Sequence, residues 1–194
     1  GMLGTGLCQL DGAAIASKQF FFNQSDFQAH YAEFDILTDI EDKPALRSDG
    51  VKIDVDLTEG KAYFSPEQKG VASNEFPYLQ YKSSLDDGIW NMKERIVTMS
   101  VPEDQEDISK SYFYSTHPDQ DSLVFNARKA VYSMDSLTLH VEGVPFVHVA
   151  DARIEPGNNE LFIGENAHMK NIEKAIITID TLNTASQGYD INLY

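Results

Sequence analysis

Five histidines, 31 carboxylates and one cysteine are the side chains through which this 194-residue chain could do chemistry. Their spacing limits what that chemistry can be. His140 and Glu142 alternate with Leu137, Leu139 and Val141, so a strand over residues 137–142 puts both on one face. His148 falls in the next strand, which leaves a three-ligand zinc site of His140, Glu142 and His148 open on spacing. The plainer reading is solvated or hydrogen-bonded polar residues. Asp39, Glu41, Asp42, Asp49, Asp54 and Asp56 crowd one stretch. They show neither the Asp-x-Asp-x-Asp-Gly loop of an EF-hand nor a Gly-Gly-x-Gly-x-Asp nonapeptide. The expectation is no dedicated metal site and no cofactor.

Nucleophilic catalysis needs a Ser or Cys, a base and a group that orients the base. Cys8 lies in a glycine-rich start, there is no Gly-x-Ser-x-Gly elbow, and His30, His117, His140, His148 and His168 stand in no triad context. The glycine-rich phosphate loops of nucleotide-binding proteins are absent from the sequence. Carboxylate pairs for glycoside hydrolysis can be chosen in too many ways to carry meaning. The chain is therefore expected to be non-catalytic, with no catalytic residue to name.

Aromatic side chains are the other resource. Phe20, Phe21, Phe22, Tyr78, Tyr81, Trp90, Tyr112, Phe113 and Tyr114 could line a groove for a glycan or a lipid chain, since both use aromatic platforms. Aromatics are also enriched in β-structure for packing alone, and core packing is the reading preferred.

The elements that would position these groups are strands. Val51, Ile53, Val55 and Leu57 alternate with Lys52, Asp54 and Asp56, the period of a strand with one buried face. Glu59-Gly60 turns the chain and Ala62–Phe64 returns it. Residues 13–22 read as a strand pair. Residues 26–40 fit a helical stripe (Phe27, Tyr31, Phe34) and strand alternation (Ala32, Phe34, Ile36) alike, and strand-rich neighbours favour the strand. Phe76–Tyr81 reads as an edge strand because of Pro77, Asp86-Asp87-Gly88 as a turn, and Ile89–Val101 as one or two strands. Val144–Ala150 is nearly all apolar and is expected to be buried on both faces. Pro156, Gly157 and Asn158 mark a tight turn, with positive φ expected at Gly157 and Asn158. Residues 171–175 suggest a brief helical turn, residues 1–12 a loose lead-in or edge, and residues 183–194 a fraying end or edge strand. Pro102–Lys110, with four carboxylates and one apolar residue, is either a sub-boundary or a long surface loop, and the loop is preferred.

A recurring phrase organises the C-terminal half. Ala130-Val-Tyr, Ala152-Arg-Ile and Ala175-Ile-Ile lie 22 and 23 residues apart, with Leu137-Thr-Leu139 and Leu161-Phe-Ile163 following the first two. A period of that length points to stacked β-units. The fold expected is all-β in a single domain over residues 1–194: a stacked β-solenoid or open β-roll with repeats of about 22 residues, with a two-sheet β-sandwich as the alternative.

Composition narrows the partners. The chain carries 15 Lys+Arg against 31 Asp+Glu, a net charge of −16, which disfavours nucleic acid because the phosphate backbone rewards cations. One cysteine forms no internal disulfide, and no apolar run approaches the roughly 18 residues of a membrane-spanning helix. The start shows no basic segment ahead of an apolar run, so no signal peptide is expected in it.

Ala13–Lys18 with Phe27–Asp35, Glu75–Tyr81 followed by Trp90-Asn-Met92, Tyr114–Leu123 and Val144–Ala152 together resemble a family of very large, β-rich proteins of Gram-negative bacteria with envelope or surface character. The resemblance spans roughly residues 10–185. It implies a segment of a longer chain with neighbouring domains, placed in the periplasm, outer membrane or surface. It carries no functional residue over. The function expected is a non-catalytic structural segment of a large envelope or surface protein. The alternative is a glycan- or lipid-binding β-module with an aromatic-lined groove.

Overall fold

The computed structural model describes residues 1–40, 43–67, 74–85, 87–120, 123–179 and, as backbone, 184–191. Among them are eighteen strands, two short 3₁₀ turns and no α-helix. The first four strands are long: β1 (Met2–Leu10), β2 (Ala13–Phe22), β3 (Asp26–Ile36) and β4 (Leu46–Asp56). Shorter ones follow as β5 (Lys61–Pro66), β6 (Asn74–Phe76), β7 (Tyr81–Ser83), β8 (Asp87–Asn91), β9 (Ile96–Ser100), β10 (Tyr112–Ser115), β11 (Val124–Asn126) and β12 (Lys129–Ser133). The last are β13 (Thr138–Glu142), β14 (Val147–Val149), β15 (Ala152–Glu155), β16 (Glu160–Ile163), β17 (Ile172–Ile179) and β18 (Thr184–Ile191).

The short strands are halves of long ones. β5 and β6 lie end to end along one side of β4, with Val51 opposite Pro66 and Arg47 opposite Glu75. β8 and β7 lie end to end along β5 and β6. β9 and β10 then flank β8 and β7, and β12 and β11 flank β9 and β10. β13 and β14 are likewise matched by β16 and β15. The pairings are antiparallel throughout, so the chain is a meander of bent strands. Each bends at the same level. The early strands do so through register shifts, one of them at Gly50 with φ 65°. Later ones do so through residues 101–111, Gly143 (φ 71°) and residues 156–159. The bends line up as a crease that divides the sheet into two wings.

The wings fold towards each other and enclose the core. Ring centroids of Phe34, in the second wing, lie 5.4 Å from Phe64 and 6.1 Å from Trp90, both in the first. Phe76 and Tyr132 meet in the same way at 5.8 Å. The far tips also touch: the Ala167 N–H donates to the Leu79 carbonyl (2.8 Å), and Gln120 Nε2 donates to the Ala167 carbonyl (2.7 Å). The result is a curled antiparallel half-barrel.

The cross-strand rows explain the packing. One inward row of the first wing runs Phe22, Phe27, Val55, Ala62, Trp90, Val97, Tyr132, Leu139, Ile163 and Met169. Trp90 sits between Ala62 and Val97, so large and small neighbours interdigitate. Where Phe64 fills the layer its neighbour must be Gly88, because a Cβ there would lie 2.1 Å from the Phe64 ring. Each such side chain taken fully out of water contributes about 1.5–3 kcal/mol.

The second wing is less uniform. Its inward row, Ile15, Phe34, Ser48, Asn74, Ser83, Phe113 and Phe125, carries three buried polar residues at the centre. The crease interrupts the ladder there, and side chains satisfy the freed backbone groups. The Ser48 hydroxyl donates to Asn74 Oδ1 (2.5 Å), Asn74 Nδ2 to the Leu85 carbonyl (3.0 Å), and the Ser84 hydroxyl to the Lys110 carbonyl (2.6 Å).

The all-β expectation holds, but the 22-residue phrase marks no equivalent places. Ala130 is buried in the first wing, Ala152 lies near a tip of the second, and Ala175 lies at the crease. Neighbouring strands here run antiparallel, whereas successive coils of a solenoid lie in the same direction. Several local expectations are also corrected. Residues 13–22 form one strand. Residues 77–80 are the turn between β6 and β7, Asp87-Gly88 opens β8, and residues 172–175 are strand. Val144 and Val147 are buried while His148 and Ala150 are exposed, so that segment hides one face only. In the 156–159 turn the positive φ falls at Asn159 (55°). Gly157 serves close approach instead, since a Cβ would lie 2.7 Å from the Glu173 carbonyl oxygen. Pro102–Lys110 connects β9 to β10, both bonded into the same sheet.

Candidate functional site

Side chains alternate across a sheet, so each inward row has an outward neighbour. The row beside the core of the first wing is continuous over ten strand positions, Leu3, Phe21, Gln28, Asp54, Tyr63, Ile89, Thr98, Val131, His140 and Phe162, and ends on Lys170, whose N–H donates to the Phe162 carbonyl. Leu3, Phe21, Tyr63, Ile89 and Phe162 are exposed on it. In a chain of charge −16, this is an outward stripe with one carboxylate, Asp54, whose Oδ2 accepts from Gln28 Nε2 at 2.9 Å.

The C-terminal end of the row is the most built part. The His140 ring stacks on Phe162 with centroids 4.3 Å apart and planes 4° apart, and Lys170 Nζ lies 5.7 Å from the Phe162 centroid. Glu160 Oε2 is 3.3 Å from His140 Nε2. That is an ion-pair distance, but the ring nitrogen is not aligned for a hydrogen bond, so their attraction depends on a charged imidazole. Glu142 sits on the other side, 3.9 Å from His140 Nδ1, and takes a 2.9 Å hydrogen bond from Lys129 Nζ. An open hollow of about 610 Å³ adjoins this end at the crease, lined by Asn158, Glu160, Phe162, His168 and Lys170. His140 and Lys170 flank the Phe162 ring from the neighbouring segments, so the cluster presents the ring's exposed edge with a cation and carboxylate acceptors around it, groups that can hydrogen-bond a polar ligand.

Sequence spacing brought His140 and Glu142 to one face, as the structure also does, but His148 lies in the second wing. There it packs edge-on to Phe146 at 5.0 Å, and Arg153 covers that ring at 4.2 Å. No group of three metal-binding side chains occurs among the described residues. Asp49, Asp54 and Asp56 lie along β4, while Glu41 and Asp42 are outside the described residues.

One arrangement imitates a triad. Ser17, His30 and Glu67 are neighbours, with His30 Nδ1 3.5 Å from Glu67 Oε1. The Ser17 hydroxyl, however, donates to the His30 carbonyl oxygen (2.6 Å) and accepts from the Gln19 N–H (3.0 Å). It clips the strand at its bend. Burial pushes the Cys8 thiol upward, which lowers its thiolate fraction and its reactivity.

The nine aromatics singled out from the sequence do not form a groove. Phe20, Tyr81, Trp90 and Phe113 are buried, Phe22, Tyr78, Tyr112 and Tyr114 are half-buried, and Phe21 alone is exposed. Burial also drives the Tyr81 and Tyr132 phenols well above their ordinary range. Tyr63 and Phe162, which join Phe21 as the exposed aromatics of the outward row, were missed. Each occupies an outward position in a strand whose alternate residues are buried, and that parity was the available signal.

No protein-family model, curated protein or solved structure matches the chain.

Proposed function

We propose that this chain is a non-catalytic structural segment of a large bacterial envelope or surface protein, an open β-roll that serves as scaffold. One observation carries the reading. Successive strands share one bent outline, with the same crease and continuous inward rows, so the core grows by adding strands side by side. Such a body is extended by repetition and has no intrinsic closure. Polar side chains and large aromatics hold that outline: Ser17, Ser48, Asn74 and Ser84 on the bends, and Phe20, Phe34, Phe76, Trp90 and Tyr132 in the core.

The test is fractionation of the source cells with an antibody against this chain. The envelope fraction is the expected location, and a cytosolic location contradicts the reading. Turnover of a glycoside or ester by the purified protein, abolished by a single His or carboxylate substitution, would contradict the non-catalytic part.

A second reading is a binding module of the glycan class. The exposed edge of Phe162, flanked by His140 and Lys170 beside an open hollow lined by Asn158, Glu160 and His168, favours a glycan over a lipid chain, because most of its surroundings are polar. Titration with a panel of soluble oligosaccharides against wild type and Phe162→Ala tests it: binding lost in the variant supports the reading, and no binding by wild type removes it.

A further inference from the structure

We propose that the outer side of the crease over β2 is a binding site for a neutral pyranose unit of a glycan, with Tyr31 as its stacking residue. The site shares the ligand class of the second reading and none of its residues.

Tyr31 is costly to the fold without serving its core. It lies inside the register shift of β3 between Ala29 and Ala32, in the left-handed region at φ 46°. That conformation strains a bulky side chain. β1 and β4 cross the same crease on glycine, Gly6 (φ 133°) and Gly50 (φ 65°), which adopts positive φ freely. Burial of the ring could offset the strain, but Tyr31 is 67% exposed. Backbone strain that packing does not explain points to function.

A hollow of about 630 Å³ adjoins Tyr31, within the range of small-ligand sites. It centres on β2, which is bonded on both sides, to β1 and to β3. The floor is satisfied and fixed. The Ser17 hydroxyl donates to the His30 carbonyl (2.6 Å) and accepts from the Gln19 N–H (3.0 Å), and Thr5 Oγ1 donates to the Ser17 carbonyl (3.4 Å). The bend then sends consecutive residues to the same side. Lys18 and Gln19 stand outward between buried Ser17 and Phe20, and His30 and Tyr31 between buried Ala29 and Ala32. A straight strand would place the members of each pair on opposite faces. The crease instead gathers a ring, donors and acceptors around one hollow.

Chemistry selects the ligand. Lys18 and Glu33 put opposite charges on one rim, so an ion of either sign is attracted by one and repelled by the other. Lys18 and Gln19 donate, while Glu33 and Gln19 accept, and hydroxyl groups use both. A pyranose carries hydroxyls around its edge and a C–H face that can lie on the Tyr31 ring. A lipid chain would cover the ring and leave the polar rim unpaired.

The experiment is a nuclear magnetic resonance titration of the protein with the methyl glycosides of glucose, galactose and mannose, and with glucuronate and glucosamine as charged counterparts. At least one neutral glycoside is expected to shift the Tyr31 ring signals and the Lys18 and Gln19 amides saturably, and to bind more tightly than either charged sugar. In Tyr31→Gly the affinity should fall at least about tenfold, as for loss of an aromatic anchor. The melting temperature of that variant should hold or rise, because glycine relieves the strained backbone. Tyr31→Phe keeps the ring and should keep binding. Three results overturn the proposal: no neutral glycoside shifts Tyr31, a charged sugar binds tightest, or Tyr31→Gly either binds as well as wild type or melts lower. Phe162→Ala should leave the Tyr31 shifts unchanged, so failure here is told apart from failure at Phe162, and neither bears on the scaffold reading.

Discussion

The two wings are made by the same strands, yet the first is hydrogen-bonded across every strand from β1 to β16, and the second parts between β11 and β14. Where the later strands cross the crease, their first-wing segments are mostly five residues long and their second-wing segments three or four. The parting falls where the bends differ. Residues 127–128 carry one strand across the crease, and residues 143–146, including Pro145, carry the next. Unequal bends set neighbouring strands at different levels on the far side, and short segments recover few ladder bonds. The first wing is thus the cooperative spine. The second is a set of shorter ribs tied down by Ser48, Asn74 and Ser83.

That contrast can be broken most strongly at Trp90, the largest side chain of the spine. Trp90→Ala should cost about 3–5 kcal/mol in urea denaturation, since its site lies between rigid neighbours that cannot collapse into the void. A cost under about 1 kcal/mol would mean that the spine is not the cooperative unit. In the ribs, Asn74→Ala removes the partner of the Leu85 carbonyl and of the Ser48 hydroxyl, and should cost about 1–3 kcal/mol by the same measurement. Amide exchange sharpens the comparison without mutation: the β11 and β14 amides should exchange at least about tenfold faster than those of β12 and β13. Equal protection would remove the distinction between the wings. The smallest effect belongs to Tyr132→Phe. The Tyr132 hydroxyl is buried in the spine without a hydrogen-bond partner, so its loss should leave stability unchanged or raise it by up to about 1 kcal/mol.

What the sequence disclosed was local. The period-2 pattern of Val51, Ile53 and Val55 placed a strand with its buried face correctly, although Leu57, fourth in the pattern, lies exposed in the turn. The Glu59-Gly60 turn was equally plain, with φ 74° at Gly60. The crease was not legible, because no residue type marks a bend shared by many strands. It is made by Gly50 in one strand, by the loop 101–111 in another and by Gly157 against Glu173 in a third. The Ala130, Ala152 and Ala175 phrases showed real strands, but sequence spacing cannot tell a stacked coil from an antiparallel return. The outward row was hidden for a related reason. Its members enter one per strand, Phe21, Tyr63 and Phe162 being far apart in the chain, and only the register brings them into line.

The central claim is that each long strand contributes to both wings and that the wings close on one another. Aromatic nuclear Overhauser contacts test it most directly. Cross-peaks are expected from Phe34 to Trp90 and from Phe76 to Tyr132, whose ring centroids lie 6.1 and 5.8 Å apart. Absence of both, with the contacts of Phe113 to Phe125 within the second wing retained, would mean an open sheet whose wings never meet.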